Sequence, residues 1–104
     1  MSVVSVHVLF ANAEEAERIG RAMVEQRLAA CVNLVAPVRS IYRWQGAIEQ
    51  ADEVAATFKT TDAAADALIA AIAAAHSYDV PCIVSSPIEL VLASYAEWVE
   101  ASVG

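Results

Sequence analysis

Basic residues are scarce in this chain: six Lys and Arg stand against thirteen Asp and Glu across 104 residues, a formal net charge of -7. Binding driven by phosphate neutralisation needs clustered cations to displace counterions, and no basic cluster exists, so no nucleic-acid partner is expected. There are only two cysteines, Cys31 and Cys82, and no Cys-x-x-Cys pair. They could form one bridge, but without a secretory signal they read as reduced thiols. Long apolar runs are missing too: no stretch approaches the ~18 residues of a spanning helix, so no membrane partner is expected. Met1 leads straight into Val3-Val4-Ser5-Val6, without the basic start and small-residue cleavage site of a signal peptide, which points to the cytoplasm. No repeat or linker divides the chain, so 1–104 is expected to be a single domain.

What is present is apolar. The hydrophobic fraction is 59% and charged residues make up only 18%, below the usual quarter, a balance that suits a protein hiding surface in subunit contacts. Alanine runs at 63–65 and 73–75 weaken that inference, because alanine forms helices that can face water. Val3 to Phe10 reads as a strand with Val4, Val6, Val8 and Phe10 on one face. Asn12 and Glu15 form a capping box for an amphipathic helix through about Arg27, in which Ala16, Ile19, Gly20 and Met23 share a side. Gly20 inside it suggests a close approach to a sheet. Thr60, Thr61 and Asp62 offer caps for a second helix with an apolar stripe of Ala65, Leu68, Ile69 and Ile72. A fourth strand is expected from Val80-Pro81 through Ser85, with Leu90 to Leu92 as a short edge strand. Ser94 is expected to cap a last helix over Tyr95 to Ala101.

Between the helices lies the longest feature, a hairpin. Cys31 to Trp44 and Ala47 to Thr60 are equal in length and meet at Gln45-Gly46, where glycine supplies the positive φ of a tight turn. Counting outward from that turn pairs Tyr42 with Glu49, Arg39 with Asp52 as opposite charges, Val32 with Lys59 and Cys31 with Thr60. At ~3.3 Å per residue such strands run ~45 Å, far longer than ordinary strands, so the arm overhangs its domain. The overhang carries Ile41, Tyr42, Trp44 and Ile48, which ask for cover by a second copy of the chain. The order strand, helix, strand, strand, helix, strand, with a short C-terminal helix, gives an α+β fold: a ferredoxin-like split βαβ sandwich with both main helices on one side.

Several separated stretches carry a resemblance: Ala30-Cys31-Val32-Asn33, then Ser40 through Glu49, then Lys59-Thr60, then His76-Ser77-Tyr78-Asp79-Val80-Pro81, and last Tyr95 with Trp98. Together they closely resemble the CutA family of divalent-cation-tolerance proteins over nearly the whole chain. The resemblance implies a ferredoxin-like subunit in a tight homotrimer similar in architecture to PII signalling proteins, a role in tolerance to divalent cations, an association with copper, and no established enzymatic activity. The chain departs from the family pattern at Asp79, where Glu is usual, at Cys82, where an acid is usual, and at Arg43, where a second aromatic is common.

Cys31 occupies the family's cysteine position, so the resemblance makes it the first candidate copper ligand, since thiolates favour Cu(I). The other reading is a small buried hydrophobe at a strand start. His76, Asp79 and Cys82 lie three residues apart across a helix end and strand start, where a bend could gather imidazole, carboxylate and thiol around a metal. Against this, His76 reads as a helix-terminus hydrogen bonder and Asp79 as a turn former. Lys59 either snorkels to solvent or joins Asn33, Tyr42, Trp44, His76 and Tyr78 in an intersubunit cleft for a small anionic ligand. Trp44, Tyr95 and Trp98 read as packing anchors at subunit contacts, and His7 as structural. No catalytic residue is assigned; Cys82 with His76 is the only nucleophile and base pair the sequence offers. The leading expectation is a CutA-like homotrimer that binds copper or another divalent cation, needs no metal to fold and catalyses nothing. The alternatives are a PII-like sensor of an anionic metabolite and a scaffold for a basic protein partner.

Overall fold

The computed structural model describes residues 2–104. Its elements are β1 (Val3–Phe10), α1 (Ala13–Glu25), β2 (Cys31–Trp44), β3 (Ala47–Thr61), α2 (Ala65–Ala75), β4 (Ile83–Ile88) and α3 (Ala93–Ser102). The four strands form one antiparallel sheet in the order β2-β3-β1-β4, the ferredoxin-like arrangement. β1 is central, and Val4, Val6, Val8 and Phe10 on its inner face meet Ile19 and Met23 of α1 and Leu68 and Ile72 of α2 in the main core. The opposite face is covered at one end only, where Val99 of α3 closes over Val3 and Ala30.

Local chemistry explains most boundaries. The Asn12 side chain accepts the Glu15 N–H at 2.9 Å and starts α1. A Cβ on Gly20 would lie 3.1 Å from Val32 Cγ1, so α1 presses on β2 at the one residue that permits it. α1 ends at Glu25, earlier than expected, because Arg27 turns to φ 60°. The Arg27 guanidinium then donates to the carbonyls of Ala101 and Gly104 at 2.7 and 2.8 Å, placing a cation on the C-terminal end of α3. Gln45 and Gly46 at φ 50° and 83° form the tight hairpin turn.

The register holds as expected near the turn, with Tyr42 opposite Glu49 and an exposed Arg39 to Asp52 ion pair at 2.9 Å. Further out it differs. Between Val35 and Val38 the β2 chain spends one residue more than β3, a bulge at Ala36-Pro37, where proline has no N–H to give the ladder. Cys31 therefore faces Lys59 rather than Thr60, and Val32 faces Phe58. The buried Thr60 hydroxyl donates to Leu28 O at 2.7 Å instead of capping α2, while Thr61 Oγ1 accepts from the N–H of Ala64, the cap residue. β4 starts at Ile83 and retains Pro87, tolerated because β4 is an edge. The expected strand at Leu90 to Leu92 does not form: β1 runs out at Val3, opposite Ile88, so the ladder has no partner left. α3 starts after Leu92 with no side-chain cap, so Ser94 is not its cap.

The ribbon is the molecule's longest dimension. Principal extents are 45 × 26 × 22 Å, and the part of β2 and β3 beyond the Phe10 to Val54 pair overhangs the sheet. On it Ile41 is 69% and Ile48 62% exposed.

Candidate functional site

Strand alternation sets the first wall of the site. Ser40, Tyr42 and Trp44 of β2 share a face of the overhanging ribbon with Glu49 and Glu53 of β3. Facing them across the end of β1 are Leu9 and the segment between α2 and β4, namely Tyr78, Asp79, Val80 and Cys82. Together with Ile41 these residues line a groove of about 600 Å³.

The α2–β4 segment is pinned from both sides. His76 stacks on Phe10 with ring centroids 4.8 Å apart and planes 8° from parallel. One ring nitrogen, Nε2, lies 2.8 Å from the Leu9 carbonyl, and Nδ1 accepts the Tyr78 N–H at 3.1 Å. A carbonyl only accepts and a backbone amide only donates, so the ring is the neutral tautomer protonated on Nε2. Next, both the N–H and the hydroxyl of Ser77 donate to the buried Glu15 carboxylate, at 2.8 and 3.0 Å. Burial pushes the Glu15 carboxyl up, but the two Ser77 hydrogen bonds outweigh it and hold the group below its ordinary value. Finally the Tyr78 hydroxyl donates to Glu53 Oε2 at 2.8 Å. Burial first, then that bond and the Glu53 charge, drive the phenol well above its usual range and keep it protonated.

Several expected ligands are not brought together. Cys31 lies at the far end of the hairpin, half-buried, with its Sγ 3.5 Å from the Tyr95 hydroxyl. That contact, followed by burial, leaves the Tyr95 phenol pushed up to about 12. His76 has both nitrogens engaged and offers no lone pair to a metal, nor a base to Cys82. Asp79 and the exposed Cys82 do share the groove. No group of three or more His, Cys, Asp or Glu suited to one metal ion occurs among the described residues. The anion cleft divides likewise. Tyr42, Trp44 and Tyr78 line the groove, whereas Asn33 is opposite Thr57 and Lys59 opposite Cys31. Lys59 is six residues along β3 from Glu53, or ~20 Å. Trp44 faces the groove, while Tyr95 and Trp98 pair with each other at 5.5 Å.

Two residues that matter here escaped the sequence reading. Glu15 was expected to reach back to its own helix cap and instead holds Ser77. Glu53 is only 7% exposed, the last acid of β3 before the apolar run Val54-Ala55-Ala56; that placement was the available signal.

Fold and site define a small ferredoxin-like α+β protein whose overhanging hairpin and α2–β4 segment enclose an acidic groove with a thiol in its lining. The chain belongs to the CutA1 divalent ion tolerance protein family, whose sequence pattern matches residues 4–102. It is 38% identical to the divalent-cation tolerance protein CutA of Archaeoglobus fulgidus, over 94% of this chain and 95% of that protein. It is 40% identical to Protein CutA of Homo sapiens over 94% of its own length, and spans about half, 55%, of that longer relative. The crystal structure of CutA from Xylella fastidiosa superposes with a TM-score of 0.97 at 31% identity, covering 100% of both chains. No helix among the described residues is long and apolar enough to cross a membrane.

Proposed function

We propose that this protein serves divalent-cation tolerance as a cytoplasmic homotrimer that binds copper or another divalent cation weakly and catalyses no reaction. The observation that carries the reading is the groove: Glu49, Glu53, Asp79 and Cys82 line it, and among the described residues no Lys or Arg does. A thiol beside carboxylates suits a soft or borderline cation. Since the described residues of one chain gather no three such ligands, tight binding would need donors from a neighbouring subunit. The groove's charge disfavours the alternative, a small anion, because Lys59 stands apart from it. Trimer formation is supported by the ribbon, whose exposed Ile41, Tyr42, Trp44 and Ile48 flank the unpaired edge of β2.

Calorimetric titration of the reduced protein with Cu(I) and Cu(II) tests the metal reading. Cys82→Ala should weaken binding and Cys31→Ala should leave it unchanged. Binding no stronger than a buffer control, or indifferent to Cys82→Ala, would sink the groove as the metal site. Light scattering of the eluting protein should give three times the chain mass.

A further inference from the structure

We propose that His76 is a proton-operated latch: protonation of its Nδ1 releases the backbone of Tyr78 and loosens the segment between α2 and β4. The inference rests on the bonds that hold this segment and not on the metal reading. From His76 to Cys82 the chain is neither helix nor strand, so side chains keep it in place. Two of the holding bonds meet at the His76 ring, where Nε2–H donates to the Leu9 carbonyl at 2.8 Å and Nδ1 accepts the Tyr78 N–H at 3.1 Å. Both need the neutral tautomer, which leaves Nδ1 as the one ring atom able to take a proton. A proton there sets a donor against a donor, and the Tyr78 bond is lost. Turning the ring over does not repair it, because the flip carries Nε2 away from the Leu9 carbonyl. An acceptor bonded to the N–H two residues on is the arrangement Asn and Asp make in turns, but only histidine loses its acceptor by taking up a proton between about pH 5 and 8.

The charges around the ring favour that proton. From α1 comes the buried Glu15 carboxylate, which stays ionised through this range and lies close enough for a charge on the ring to be felt. Asp79 follows three residues on in the segment itself, and Glu53 of β3 reaches the segment through the Tyr78 hydroxyl, a phenol that keeps its proton. β1 presents no charge, only the Leu9 carbonyl and the Phe10 ring stacked 4.8 Å away. His76 is half-buried, so solvent protons reach it. Release stays local, because Ser77 still holds Glu15, the Tyr78 hydroxyl still holds Glu53, and the Cys82 carbonyl still accepts the Leu9 N–H. What moves is one wall of the groove, whatever the groove binds.

The full chain, with a chelator and no added metal, is followed by nuclear magnetic resonance from about pH 8 to about pH 5. As the His76 ring nitrogens gain their proton, hydrogen exchange at the Tyr78 amide, corrected for its intrinsic rate, should quicken roughly tenfold, the scale of one lost hydrogen bond. Amides of β1 should stay protected. His76→Asn supplies an acceptor that acid does not remove and should keep the Tyr78 amide protected throughout, while His7→Asn, at the only other histidine, should leave the wild-type response intact. The proposal is overturned if His76 stays neutral to the end of the titration, if Tyr78 exchange does not follow its protonation, or if folded His76→Asn responds like the wild type. Should His76→Asn fail to fold by circular dichroism, His7→Asn decides: a response that persists in step with the His76 nitrogens supports the latch, and one that disappears with His7 overturns it.

Discussion

Tyr78→Phe removes one oxygen and leaves the ring in place. The lost atom is the donor 2.8 Å from Glu53 Oε2, and the residue left behind is a carboxylate with only 7% of its surface exposed. Hydrogen bonds to charged groups are worth about 1.5–3 kcal/mol. Tyr78 is itself half-exposed, which puts the expected loss at about 2 kcal/mol, or roughly 8 °C or more of Tm for a domain this size. Urea and thermal unfolding at one fixed protein concentration measure it, since subunit association would otherwise shift Tm. The folded-state pKa of Tyr78 is raised above the ordinary 10.0, so its contribution is complete below pH 10 and is lost as pH climbs toward the raised value. The gap between wild type and Tyr78→Phe should therefore be widest at neutral pH and narrow above pH 10. A double-mutant cycle with Glu53→Gln gives the coupling directly. A loss below about 0.5 kcal/mol, or coupling near zero, would refute the view that this pair pins the groove.

At acid pH the relevant group is Glu15: its folded pKa lies below 4.5, so its contribution is present above 4.5 and disappears as pH falls through the lowered value. Glu15→Gln should flatten that part of an acid unfolding profile; an unchanged profile counts against the Ser77 clasp. Trp44→Asp should shift the protein from trimer to monomer in light scattering, and a stable trimer at micromolar concentration would mean that the ribbon is not the assembly surface. Gly46→Ala places a Cβ at φ 83° with no atom within 4 Å, so only backbone strain acts, and chemical denaturation should show a loss of about 1–2 kcal/mol. Phe58→Ala empties a fully buried core position and should cost about 3–5 kcal/mol by the same measurement.

The recognisable stretches, from Cys31 through the hairpin to His76 and Trp98, lie in the sequence itself, and so does the family. β1 was legible to the residue because its apolar run is nearly continuous, and the hairpin turn because Gly46 marks it. The inner face of α1 follows from helical spacing, and Gly20 announced a close approach to the sheet, which the structure places at Val32. These are properties of neighbours in the chain, which periodicity and backbone preference express directly. The site was legible only in part. Tyr42, Trp44, Tyr78, Asp79 and Cys82 do meet, but the bulge at Ala36-Pro37 reset the register beyond it and left Lys59 beside Cys31. Glu15 found Ser77 at a separation of 62 residues, and Tyr78 found Glu53 at 25. A polar side chain takes whichever partner burial leaves to it, and across such distances only the folded sheet and helices choose. The sequence thus determined the elements, their apolar faces and the acidity of the chain. The tertiary structure alone decided that His76 has no nitrogen to spare, and that the carboxylates and aromatic rings of the hairpin line a groove in which, among the described residues, no basic side chain answers them.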